Sequence, residues 1–461
     1  MTGVQTCALP ISALRDILKS TGTPQILPPS GVIGPRPNLL TAFTQLKLEW
    51  VDDTKSPINV VGSSTGHAWG DIDNNGTLDL FVGISLANNK LFQNDGSGNF
   101  TDISSSPINN SGRANGAAWA DYDNDGNLDL YLSKSTEANQ LFHGNGDGTF
   151  TDASASPVND AGNGVGMAWA DFDNDGYVDI YLIDNASTNK LFHNNGDGTF
   201  TDVTAGPEGD PLAGIGAAWG DYDDDGDLDI YICNYSLQAN KLLRNDGGTF
   251  TDVTSGPLGS PGNGMSAAWG DYDNDEDLDL YLAGDNNKLF RNDGGGSFTD
   301  VTSGPLGDPS FTYGCTWGDY DNDGDLDIFL ANNGSSNKLL RNDGSGTFVD
   351  ATSGPLGSTA NSMGASFADY DSDGDLDIYV SNYSGGNELF KNLIGTNNHW
   401  FHIDLVGTVS NKSAIGARVK ITTSGGNQIR EVSSGNGLYG QNSLTVEFGL
   451  GSVLKIGRAH V

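Results

Sequence analysis

One nonapeptide pattern, D-x-[DN]-x-[DN]-G-x-x-D, recurs in seven copies opening at Asp71, Asp121, Asp171, Asp221, Asp271, Asp319 and Asp369, six of them exact and the fifth with Glu276 in the glycine place. The period is 50 residues, with one step of 48. A repeat this regular restricts the fold to architectures in which each unit is one supersecondary element packed on the next. The pattern also fixes a chemistry, because oxygen-bearing side chains stand at positions 1, 3, 5 and 9 of a tightly reversing segment. A hard divalent cation such as Ca2+ takes six to eight oxygen ligands, and alternate carboxylates plus a backbone carbonyl from position 7 supply them.

The candidate ligands are therefore Asp71, Asp73, Asn75 and Asp79 in the first copy, and Asp121, Asp123, Asp125 and Asp129 in the second. The third and fourth supply Asp171, Asp173, Asp175, Asp179, Asp221, Asp223, Asp225 and Asp229. The fifth has Asp271, Asp273, Asp275 and Asp279, the sixth Asp319, Asp321, Asp323 and Asp327, and the seventh Asp369, Asp371, Asp373 and Asp377. Up to seven Ca2+ ions are implied. Glycine at position 6 permits a positive φ. Asn, Asp and Gly also dominate plain turns, but a plain turn has no use for the aspartate at position 9.

An EF-hand opens in the same way, yet it needs a glutamate at position 12 and flanking helices. Here position 9 runs into L-D-L-Y-L or L-D-I-Y-I, which reads as a strand. A full unit carries four such runs: a small-residue run ending at the loop, the apolar run after it, N-K-L-F-R-N, and F-T-D-V-T. The last two are separated by N-D-G or N-G-D-G, the chemistry of tight hairpins. Four antiparallel strands repeated seven times predict an all-β chain, a seven-bladed β-propeller over residues 45–393. The register predicts closure, since a lone fourth strand at Trp50 precedes the first loop and the last unit stops after its third strand, at Asn392. Gly216, Ala217 and Ala218 suit a crowded innermost strand. Trp69, Trp119, Trp169, Trp219, Trp269 and Trp317, with Phe367 in the seventh place, are expected to pack between blades rather than to stack on sugars.

The formal charge is −38, from 60 acidic and 22 basic residues, and 27 of the acids sit at proposed ligand positions. Seven bound dications would still leave about −24, which argues against nucleic acid or an anionic membrane as partner. No apolar run approaches the ~20 residues of a membrane-spanning helix. Residues 12–44 are Pro/Gly-rich and read as linker. Thr2 to Ile11 resembles the translation of a sequencing-library adapter, and Ile456 to Val461 that of its reverse complement. Residues 1–11 and 456–461 are therefore expected to be artefacts flanking a fragment. Of the remaining cysteines, Cys233 and Cys315 are expected to be separate buried thiols.

The units resemble FG-GAP/VCBS-type repeats, shared with integrin α-subunit propellers. The tail, N-H-W-F-H-I-D-L-V-G-T-V-S-N-K-S-A-I-G-A-R-V-K-I followed by R-E-V-S-S-G-N-G-L-Y-G-Q-N and F-G-L-G, resembles the ASPIC/UnbV domain. It would form a small C-terminal β domain over 397–455, truncated at its end. Together they resemble the cartilage acidic protein 1 family. The resemblance implies extracellular calcium-binding propellers, with the ligands carried onto the aspartates named above. Asn75 in the first loop and Glu276 at the glycine position of the fifth depart from the pattern.

No nucleophile–base pair or tuned carboxylate pair is recognisable, so no enzyme is expected. His143 and His193 share one repeat position and read as exposed polar cover, while His67 on an innermost strand reads as structural. His399 and His402 should face opposite sides of a strand. The leading reading is a secreted, periplasmic or cell-surface module, a monomeric propeller that binds a protein or glycan. A purely structural matrix protein and a propeller hydrolase or lyase are the alternatives.

Overall fold

The third unit shows how each repeat folds. Its small-residue run Gly164–Ala170, the strand Asp179–Asp184 after the loop, and the strands Lys190–Asn194 and Phe200–Asp202 pair antiparallel in chain order. In this computed structural model the described residues are 49–344, 346–395, 398–435 and 437–461. The adapter and linker readings of residues 1–44 lie outside them. Among the described residues seven such four-stranded sets form, the first two joined where Ser85, Ala87 and Asn88 pair with Arg113, Gly112 and Ser111. Inner strands touch one another from blade to blade, and Ser63–Gly70 touches Ser362–Ala368, so the ring closes as a propeller.

Closure uses the two ends of the repeat array. The seventh set takes its fourth strand from Trp50–Asp52, which pairs antiparallel with Glu388–Asn392 in the register Trp50↔Asn392, Val51↔Lys391 and Asp52↔Phe390. Because each sheet is covered on both faces by its neighbours, second strands such as Asp179–Asp184 are buried at every position. That explains why they read as near-continuous apolar runs. The tryptophans lie between blades, and Nε1 of Trp119, Trp169, Trp269 and Trp317 donates to the inner-strand carbonyls of Ala68, Ala118, Ala218 and Ala268 at 3.1–3.2 Å. Trp69 does the same across the closure, donating to Ser366 Oγ at 3.0 Å.

The tail is not a separate body: Trp50–Val461 is one compact unit. Strand His399–Ile403 pairs with Val446–Gly451, and Arg418–Thr423 pairs with Gly426–Glu431. Val419 and Ile421 are fully buried, as their alternation predicts, whereas Phe401 stays partly exposed. Val419, Val446 and Phe448 share one apolar cluster with Met167, Trp169 and Val178 of the propeller. Residues Arg458–His460, set aside above as foreign, form an edge strand on Arg418–Thr423.

Residues 434–435 and 437–442 reach the inner strands of every blade. Ser434 bridges to Trp169, Gly437 O accepts from Ala217 N at 3.1 Å, and Tyr439 O accepts from His67 N at 3.1 Å. Gln441 Oε1 accepts from Trp119 N, while Asn442 Oδ1 accepts from Thr316 Oγ1 and Phe367 N. Gly437 also lies against Ala267. A segment touching seven strands arranged in a ring occupies the axis, so it plugs the propeller. The small inner residues make room for it: a Cβ at Gly216 would meet Gly437 O at 2.7 Å.

Candidate metal centre

Each loop is built by its own hydrogen bonds. In the second, Asp121 accepts from the amides of Asp125 (3.0 Å) and Gly126 (2.7 Å), and Asp125 Oδ1 accepts from Asn127 N (2.8 Å). The ninth-position Asp129 accepts from Tyr122 N (2.9 Å) and, across the sheet, from Gly144 N (2.7 Å). Two residues per loop are left-handed: position 6, at φ 83 to 103° where it is glycine, and position 4, at φ 55 to 61°. The second was not anticipated; the recurrent Asn, Asp or Ser at that position is its trace, since short polar side chains tolerate this backbone. Glu276 takes the expected positive φ, 80°.

These bonds leave oxygens over. Oδ1 of Asp73, Asp123, Asp173, Asp223, Asp273 and Asp371 is buried and accepts no hydrogen bond, and the same holds for Oδ2 of Asp377. A buried, unpaired carboxylate oxygen recurring at one repeat position is costly unless a cation meets it. The ninth-position carboxyls carry the same strain. Burial, with neighbouring aspartates adding, pushes Asp129, Asp179 and Asp279 up to about 9 and Asp229 up to about 8. All-oxygen donor sets of this kind fit a hard divalent cation.

The loops gather the predicted ligands, as in Asp71 with Asp73 and Asp79, Asp121 with Asp123 and Asp125, and Asp171 with Asp173 and Asp179. Asn75 differs from the aspartates at this position in one contact. Its Oδ1 accepts from Thr77 N (2.8 Å), as the position-5 oxygen does in the other loops, and lies 2.5 Å from Thr77 Oγ1, which also reaches the Asn94 carbonyl (3.1 Å).

A further layer was missed in sequence. The penultimate third-strand residue, where blades differ, reaches over the loop beside it. Gln93 donates to Asp73 and Lys391 pairs with Asp371 and Asp373, while Arg244, Arg291 and Arg341 bond Asp246, Asp293 and Asp343 and stay within the field of Asp223, Asp273 and Asp321. His143 and His193 are thus not exposed cover. They are only partly exposed, with Nδ1 3.2–3.3 Å from the carboxylates of Asp123 and Asp129, and of Asp173 and Asp179.

The tail covers the same face. Arg418 bonds Asp224 and the Asp221 carbonyl, Lys420 Nζ is 2.6 Å from Glu276 Oε2, and Asn427 Nδ2 donates to Glu276 Oε1 at 2.6 Å. Arg430 lies over the Phe448 ring at 5.4 Å, within the field of Asp271, Asp319 and Asp325.

The FG-GAP-like repeat matches at residues 71–132, 130–182, 171–232, 221–282, 279–330 and 319–380, which together span most of the chain and all seven loops. The chain belongs to the FG-GAP-like repeat family. The ASPIC and UnbV pattern matches residues 407–461, through the edge strand noted above. No curated protein matches the chain. Among solved structures, BBS1N in complex with ARL6DN is 11% identical, covers 76% of this chain and 99% of its own, and superposes with a TM-score of 0.51. The BP39L lectin from Burkholderia pseudomallei is 10% identical, covers 73% and 98%, and gives 0.51. Both likenesses concern the fold alone.

His67 is held as a structural residue would be. It is fully buried, Nε2 lies 2.9 Å from Ser366 Oγ and Nδ1 3.2 Å from Ser381 Oγ, and burial lowers its pKa to about 3. Cys233 and Cys315 are buried free thiols. His402 faces the propeller, 3.7 Å from Asp369, while His399 is exposed. No helix among the described residues is long and apolar enough to cross a membrane.

Proposed function

We propose that this protein is an extracellular calcium-binding propeller, monomeric and non-catalytic, that serves as a protein- or carbohydrate-binding module. The observation that carries the calcium reading is the buried third-position oxygen left without a partner in loop after loop. Loops this short belong with extracellular modules, whose dissociation constants of about 10⁻⁴ to 10⁻³ M match calcium outside cells and leave cytosolic sites empty. Calorimetric titration of the chelator-treated chain should show several calcium ions bound per chain; a flat titration overturns the reading.

The binding reading rests on a cleft of about 470 Å³ between the tail and the first, second and seventh loops, lined by Trp400, His402, Asp404, Lys412, Asn74 and Asn127. Trp400 is 44% exposed there, an aromatic face beside amide and carboxylate groups. One structural neighbour is a lectin and another was solved in complex with a partner, so both ligand classes are compatible with the fold. Glycan and protein arrays probed with the calcium-loaded chain and with Trp400→Ala decide it: featureless arrays favour the purely structural alternative. The His67–Ser366 pair is fully buried and gives no support to the hydrolase or lyase alternative.

A further inference from the structure

The second and third loops differ from the others in offering a nitrogen base. His143 Nδ1 lies 3.2 Å from Asp123 Oδ2 and 3.3 Å from Asp129 Oδ1; His193 Nδ1 lies 3.3 Å from both Asp173 Oδ2 and Asp179 Oδ1. Both Nδ1 atoms are buried, and neither makes a hydrogen bond despite these short separations. The nitrogen is therefore nearly equidistant from the two carboxylate oxygens and bonded to neither. Each ring is held in that pose by an edge-on aromatic, Tyr122 at 85° to His143 and Phe172 at 83° to His193. On the far side Nε2 faces Asp125 Oδ2 at 3.8 Å and Asp175 Oδ2 at 4.0 Å, the side from which carboxylates orient metal-bound imidazoles.

We propose that these two loops hold a divalent transition metal of the zinc class, each through one imidazole and two carboxylates: His143, Asp123 and Asp129, and His193, Asp173 and Asp179. The proposal rests on the cation reading of the loops and departs from it in the identity of two ions. Oxygen-only sets suit calcium, whereas an imidazole in the set shifts preference toward zinc, copper or nickel. Donor spacings near 3.3 Å are those around an ion with bonds of about 2.0–2.2 Å. Each histidine side chain is about a quarter exposed, so an ion can reach it from solvent. The other loops lack the base, since Gln93, Lys391 and the three arginines at this position present hydrogen-bond donors.

The test titrates ZnCl2 into the full chain held in millimolar calcium, removes unbound zinc by gel filtration in the same calcium buffer, counts zinc per chain by elemental mass spectrometry, and reads calcium binding separately by calorimetric titration. Two tightly held zinc ions are expected. His143→Gln and His193→Gln should each remove one, and the double variant both. Glutamine is what the first blade carries at this position, so the exchange suits the fold, and melting of the variants in calcium checks it. Cobalt substitution should add visible absorption that both single variants halve. Wild-type protein that carries calcium but no zinc, or a double variant that keeps both zinc ions, overturns the proposal. A chain that binds neither metal instead brings down the cation reading beneath it.

Discussion

Two arcs of the metal face meet the tail differently. The second loop touches it through uncharged atoms, the Ser413 hydroxyl accepting from Asp121 N and the Lys412 amide donating to Asn124. The fourth, fifth and sixth loops are met by Arg418, Lys420 and Arg430. The same carboxylate cage is thus neutralised in two ways. One arc depends on ions that can leave, the other partly on cations built into the chain. Stability in the second arc should therefore survive chelation better.

Ion removal gives the largest effect. At free calcium ten times the dissociation constant a site contributes RT ln 11, about 1.4 kcal/mol, so a ring of such sites contributes on the order of 10 kcal/mol. Chelation should lower the melting temperature by well over 10 °C. Hydrogen exchange in chelator should open the first three loops before the fourth to sixth. Uniform opening would erase the distinction between the arcs.

Acidity should act next, with opposite signs in the two metal states. Asp129, Asp179 and Asp279 titrate near 9 and Asp229 near 8 in the ion-free fold, above their unfolded values. A raised carboxyl contributes stability that is fully present at low pH and lost as pH climbs through the folded value. Ion-free protein should therefore gain about 3–5 kcal/mol from pH 9 to pH 6, less than independent groups would give because they are coupled. Calcium-loaded protein should lose stability over the same range, because protons compete with the ion. Urea unfolding at both pH values, with calcium and with chelator, reads both slopes.

What sequence could and could not show follows from where each interaction lies. Blade register, closure by Trp50–Asp52, inter-blade tryptophans and the φ of Glu276 were all legible, because the repeat multiplies local rules until they stand out. Interactions that occur once were not. Nothing in G-L-Y-G-Q-N, Gly437 to Asn442, marks it as an axial plug, since its partners are mostly backbone atoms of distant strands. Nor does the sequence place Lys420 beside Glu276, 144 residues earlier. The third-strand histidines were misjudged for a subtler reason: alternation gives a face, not how far a side chain leans along it.

Arg430 tests the built-in cation more directly. It sits over Phe448 and faces Asp271, Asp319 and Asp325. Arg430→Met keeps the packing volume and removes a charge that sits in the field of these carboxylates without an ion pair to them, which should cost about 1–2 kcal/mol in chelator. With the loops loaded the cost should be smaller, because the ion then neutralises the same carboxylates. Equal losses in both conditions, read from urea midpoints, would assign Arg430 to packing alone.

The smallest effect is the most discriminating. Sequence alone predicts that Glu276→Gly tightens the fifth loop and stabilises the protein, since glycine adopts φ 80° without the cost of about 1 kcal/mol that a side chain bears. The fold adds an opposing contribution, because the Glu276 carboxylate receives Lys420 Nζ and Asn427 Nδ2 at 2.6 Å each. Lys420 and Glu276 are 35% and 39% exposed, so solvent screens the pair to about 0.5–1 kcal/mol. The two contributions nearly cancel, and Glu276→Gly should change stability by less than about 0.5 kcal/mol. A double-mutant cycle with Lys420→Met separates them. The lysine change should cost about 0.5–1 kcal/mol when glutamate is present and nothing when glycine is. A lysine cost that ignores residue 276 would show that the fifth loop, for all its contact with the tail, relies on its ion as the second does.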